Sequence, residues 1–171
     1  EMLGPLVDRN PDYAPAWALL ALAHHRTGLR PEPGEWLLKA EAAAERAIQL
    51  DPNLPDGYSS LGATLVSRGR LLRGDEVLAK ARALDPFHPD VLNFSAHLLG
   101  VVGRVEEALV LREQLARMEP LVPAYSPRIN MLRWINGQTD AAVAALRARG
   151  NAPDALADLA QIYSTAGRYR D

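Results

Sequence analysis

The stretch Tyr58, Leu61, Gly62 and Leu65 places apolar or small residues at i, i+3, i+4 and i+7. At about 100° per residue these four share an arc of about 100°, the single stripe of a helix packed on one side. Farther on, Gly74, Leu78 and Ala81 form a second stripe, with Gly69 between the two. The pattern predicts two helices joined at a glycine turn. Gly62 and Gly74 lie on the stripes themselves, where a large side chain would hold two antiparallel helices apart. Their predicted role is packing.

The pattern returns. "LDPNLPDGYSSLG" at residues 50–62 has a close relative in "LDPFHPDVLNFSA" at 84–96, and Asp51-Pro52, Asp85-Pro86 and Glu119-Pro120 stand 34 residues apart. Gly69, Gly103 and Gly137 keep the same step, each midway between successive prolines. Equivalent stripes can be traced through Trp17, Leu20 and Ala21, then Ala40, Ala44 and Ala47. They continue through Leu92, Ala96, Leu99, Ala108 and Leu115, with Ser95 and Arg112 as departures, and through Pro153, Leu156, Leu159, Ala160, Tyr163 and Gly167. A 34-residue helix-turn-helix unit with these landmarks resembles the tetratricopeptide repeat (TPR). The resemblance covers almost the whole chain. It implies an all-α protein, a right-handed α-solenoid of antiparallel helix pairs, in which each pair buries its stripe only against its neighbours.

On this register residues 1–10 end a preceding repeat, 11–51 form a repeat with an insertion at 28–36, and 52–85 and 86–119 are regular. Residues 120–150 are a shortened repeat and 151–171 a partial one. The insertion, "GLRPEPGEW", reads either as a tolerated surface loop, since closure cost grows slowly with length, or as a lip that contacts a partner. Trp36 is expected to cover the start of the helix that follows. The shortened repeat lacks about one turn in "TDAAVAALRARG". The chain starts at Glu1 rather than Met, and both ends stop inside a unit, so a fragment of a longer protein is expected, or ends that pair with another copy.

Composition narrows the function. The 171 residues are 48% hydrophobic and 23% charged, with 19 Lys and Arg against 21 Asp and Glu and no basic block. Nucleic acid is therefore not an expected partner. There is no cysteine, which excludes disulfides, thiolate metal sites and cysteine nucleophiles. No apolar run approaches the roughly 18 residues of a membrane span, and the expectation is a soluble, cytoplasmic chain with no membrane contact.

The histidines His24, His25, His88 and His97 show no metal-ligand spacing. His24 falls on the packing stripe. Acid pairs such as Glu41 with Glu45 and Glu106 with Glu107 are expected on solvated helix faces. No phosphate loop or hydrolase motif occurs. No enzyme, metal or cofactor is expected.

What the TPR resemblance implies is a groove. In that family the face of each first helix opposite the stripe lines a concave surface that binds extended or helical peptides. Carried over, this face holds His25 and Arg26, then Ser59 and Ala63 beside Asp56 and Ser67, then Asn93 and His97. It continues with Arg128, Met131, Trp134 and Ile135, and ends at Gln161 and Ser164. Trp134 with Arg128 is the first candidate anchor, because aromatic and arginine side chains dominate interface energetics. The competing reading buries Trp134 as core. The family's carboxylate clamp for chaperone C-termini is missing, since the corresponding places hold Ala18, Leu22, Ser60, Asp90 and Phe94.

The expected function is thus a non-catalytic module that binds a protein or peptide. The alternative is self-association, giving a homodimer, through the open end that carries Leu156, Leu159 and Tyr163. The first two repeats are also similar to repeat regions behind winged-helix or class III nucleotide cyclase domains of bacterial signalling proteins, which implies a regulatory arm.

Overall fold

The computed structural model describes residues 3–29, 35–120 and 126–165, and for 126–128 the backbone alone. Among the described residues the regular structure is helical throughout. The helices are α1 (Leu3–Arg9), α2 (Ala14–Gly28), α3 (Trp36–Leu50), α4 (Pro55–Ser67), α5 (Leu71–Leu84), α6 (Pro89–Val101), α7 (Val105–Met118), α8 (Ser126–Ile135), α9 (Thr139–Arg147) and α10 (Pro153–Thr165). Residues 30–34 of the insertion and Gly167 lie outside the described residues. The chain divides into two compact units, residues 1–98 and 99–171.

The turns between paired helices have the predicted cause. Gly69, Gly103 and Gly137 take φ of 75°, 82° and 78°, the left-handed region that a Cβ disfavours. The acidic-proline turns have their own lock. Asp51 Oδ1 accepts from the Asn53 N–H at 2.9 Å, and Asp85 Oδ1 accepts from the Phe87 N–H at 2.9 Å. These are Asx turns, and they explain why an aspartate precedes the proline at both places. A second device recurs with the period: the Trp17 indole N–H donates to the Pro11 carbonyl at 2.9 Å, and the Tyr58 hydroxyl donates to the Pro52 carbonyl at 3.0 Å. Each aromatic pins its helix to the turn six residues before it.

In the first unit the small residues bring α4 and α5 together as predicted. A Cβ at Gly62 would stand 2.5 Å from Leu78 Cγ, and one at Gly74 would stand 2.8 Å from Val66 Cγ2. Ala21, Ala43, Ala44, Leu61 and Leu65 form one buried cluster, closed by Trp17, Leu20, Ile48 and Val77. Val66, Leu78 and Leu98 form another, with Leu71 and Phe94 against it.

Every residue of α4 from Ser59 to Val66 is buried. A helix reading PDGYSSLGATLVS tolerates this because its hydroxyls find backbone acceptors. Ser59 donates to the Asp56 carbonyl at 3.1 Å and Thr64 to the Ser60 carbonyl at 2.8 Å, while Ser60 reaches across to the Ala18 carbonyl of α2 at 3.3 Å.

In the second unit α9 has 9 residues where α5 and α7 each have 14. Ala142, Val143 and Leu146 of α9 meet Ala155, Leu159 and Ile162 of α10 in a buried cluster, edged by Trp134, Ala152 and Tyr163. The sequence pattern places Leu156, Leu159, Ala160 and Tyr163 on that stripe. Leu156 is instead 48% exposed and Ala160 is exposed. The inward face of α10 is turned by about one residue, with Leu159 common to both sets. Arg112, a departure from the repeat pattern, is nonetheless buried at 2% exposure.

Candidate interaction surface

The groove residues expected in the first unit do not form an open face. His25, Ser59 and Ala63 are 3%, 2% and 3% exposed. The His25 ring meets the Phe94 ring edge-on, centroids 5.7 Å apart, which joins α2 to α6. Phe94 in turn packs against the cluster of Val66, Leu78 and Leu98. These three side chains belong to the chain's own packing, and a partner cannot reach them in this arrangement. Asn93 and His97 are half-buried, and Arg26 is exposed.

Burial, and after it the charges of His97 and Arg26, push the His25 imidazole down to about 4 from its ordinary 6.5. A base whose folded pKa is depressed contributes stability that is whole above pH 6.5 and is lost as pH falls towards about 4. Unfolding free energy is expected to drop by about 1–3 kcal/mol across that window because of His25. Denaturant unfolding of the parent and of His25→Leu at a series of pH values checks this. Parallel stability curves for the two would show that His25 is not the group responsible.

The second unit holds the remaining candidates. The Arg128 side chain lies outside the described residues. Met131 and Trp134 of α8 are half-buried, and Gln161 of α10 is exposed. Trp134 packs against the α9/α10 cluster and is itself half-buried, so it is neither wholly core nor wholly surface. Of the proposed self-association residues, Leu159 is 9% exposed and Leu156 48%. Tyr163 is half-buried, with the Arg147 guanidinium 5.8 Å above its ring.

Glu41, expected on a solvated face, is 9% exposed and is held by Arg68 and, at 2.9 Å, by Arg70. It ties α3 to the turn that follows α4. The two arginines flanking Gly69 were the available signal. Trp36, the first residue of α3, is 37% exposed. Its ring lies 5.3 Å from that of His24, tilted by 35°, with Lys39 Nζ 4.9 Å from its own centroid.

Among the described residues no three His, Asp or Glu side chains gather as a metal site, and no helix is long and apolar enough to cross a membrane.

No protein-family model matches the chain, and no curated protein does. Solved structures do match. PilF of Pseudomonas aeruginosa superposes with a TM-score of 0.73 at 21% identity, covering 95% of this chain and 72% of that one. A thermophilic TPR protein of Thermus thermophilus gives 0.62 at 22% identity, over 76% of this chain and 69% of its own. YrrB, described as a TPR protein with an unusual peptide-binding site, gives 0.69 at 16% identity over 99% and 86%. The fold is the tetratricopeptide-repeat fold, an all-α solenoid of helix pairs.

Proposed function

We propose that the chain is a non-catalytic module that binds a segment of a partner protein, with Met131, Trp134 and Gln161 in the contact surface. The observation that carries this reading is the state of Trp134. It is the large aromatic of α8, and the chain's own cluster covers only part of it. An indole anchored on one side and open on the other is the kind of group that supplies interface energy when a partner completes its burial. The TPR fold and the peptide-binding site of YrrB support the same class of partner.

Peptides selected from a displayed random library against the intact chain provide the test. Trp134→Ala is expected to weaken the selected peptides about 30-fold, the equivalent of a 2 kcal/mol hot spot. Gln161→Ala serves as a variant that does not touch the core. Undiminished binding by both variants would remove this face from consideration.

A second reading is favoured by one observation, the exposure of Leu156 beside the exposed Ala157 and Ala160 on α10. An apolar strip of that kind suits self-association, as in the regulatory arm of a larger protein. Sedimentation over a wide concentration range separates the two readings, a stable monomer leaving the first.

A further inference from the structure

Among the described residues, four left-handed glycines provide an internal comparison. Gly69, Gly103, Gly137 and Gly150 are preceded by Arg68, Val102, Asn136 and Arg149. Asparagine immediately before glycine has a chemistry that the other three pairs lack. Its side-chain carbonyl carbon lies within reach of the next backbone nitrogen, and glycine leaves that nitrogen without a neighbouring Cβ. The chain has six asparagines, and the other five are followed by Pro11, Leu54, Phe94, Met131 and Ala152.

We infer that Asn136 is a site of spontaneous deamidation, the one position where this sequence holds an Asn-Gly pair. Both residues are exposed, and among the described residues nothing lies within 4 Å of where a Gly137 Cβ would be. Asn136 lines the rim of an open cavity of about 450 Å³ together with Gly103, Arg104, Glu106, Glu107 and Ile135, so water reaches it. One restraint opposes the reaction: the Gly137 N–H donates to the Trp134 carbonyl at 3.0 Å. That bond closes the last turn of α8 at an exposed helix end, where local opening costs least.

The reaction needs only water. A solvent base takes the proton from the Gly137 nitrogen, and that nitrogen bonds to Asn136 Cγ. The Cγ–Nδ2 bond breaks, and ammonia leaves with a proton from solvent. The resulting succinimide adds one water at either carbonyl, giving aspartate or isoaspartate at position 136. Each product places a carboxylate at the C-terminal end of α8, where the helix already carries partial negative charge and where Glu106 and Glu107 line the same rim. Isoaspartate also lengthens the backbone of the turn that joins α8 to α9.

The test is incubation of the intact folded chain in mildly alkaline buffer at physiological temperature, followed by peptide mapping by mass and labelling with an isoaspartate-specific methyltransferase. Asn136 is expected to convert several-fold faster than any other asparagine, with both isomeric products present, and Asn136→Gln is expected to remove the change. The isolated peptide spanning 129–140 is the reference for the same chemistry without the fold. Conversion in the peptide but not in the folded chain would overturn the proposal, because the hydrogen-bonded turn would then be protective. Faster conversion at a different asparagine would overturn it as well.

Discussion

Gly62→Leu is expected to lower the unfolding free energy by on the order of 3 kcal/mol, read as a reduced urea midpoint with an unchanged slope. Two effects oppose each other at this position. Glycine in the middle of α4 costs roughly 0.8–1.0 kcal/mol relative to alanine, so helix propensity alone would favour any replacement. Sterics run the other way. The first added carbon would already stand 2.5 Å from Leu78 Cγ and 2.8 Å from its Cδ2. Leu78 is wholly buried in the Val66 and Leu98 cluster, and a close-packed interior leaves a side chain little room to give way. Overpacking therefore outweighs propensity, and the α4–α5 pair has to separate.

The same physics predicts the opposite sign at Gly100 of α6. Among the described residues a Cβ there meets only Leu132 Cδ2, at an ordinary 3.8 Å. Gly100→Ala is expected to stabilise the chain by roughly 0.5–1 kcal/mol. A Gly62→Leu protein as stable as the parent would mean that α4 and α5 do not pack through this contact. Recovery on adding Leu78→Ala would identify the clash as the cause.

Features forced within a single helix pair were legible from the sequence. The glycine turns, the Asp-Pro locks and the close approach at Gly62 and Gly74 each need a particular residue at a particular spacing, and the 34-residue period repeats the demand. The groove face was not legible, for a physical reason. Ser59 and Ala63 lie opposite the stripe that α4 shows α5, so one pair does not need them. They are buried nonetheless in a helix enclosed through most of its length, whose Val66 belongs to the cluster that Phe94 packs against, Phe94 in turn meeting His25. Glu41 eluded the charge pattern in the same way. Its i, i+4 neighbour Glu45 suggested solvent, whereas its counter-ions Arg68 and Arg70 come from the turn after the next helix. Contacts between repeats leave no period within one repeat.

The register of α10 shows the same limit at the level of one helix, and it decides how substitutions there must be read. The segment PDALADLAQIYST holds two apolar series that share Leu159, one with Ala155 and Ile162 and one with Leu156 and Tyr163. Periodicity alone cannot rank them. The side chains Ala142, Val143 and Leu146 on α9 select the first. Leu159→Asp, which the sequence pattern would offer as a probe of self-association, is therefore expected to be a stability mutation. It removes a leucine from a packed cluster, at about 2–5 kcal/mol, and asks a carboxylate to take its place without a partner. Leu156→Asp changes a side chain that is 48% exposed and is expected to alter stability by no more than about 0.5 kcal/mol. Thermal melts of the two variants, with sedimentation of Leu156→Asp, separate folding from assembly. A folded Leu159→Asp protein with the parent's midpoint would mean that α10 packs through its other face. A Leu156→Asp variant that stays folded yet loses a concentration-dependent dimer would place self-association on the outward strip of α10.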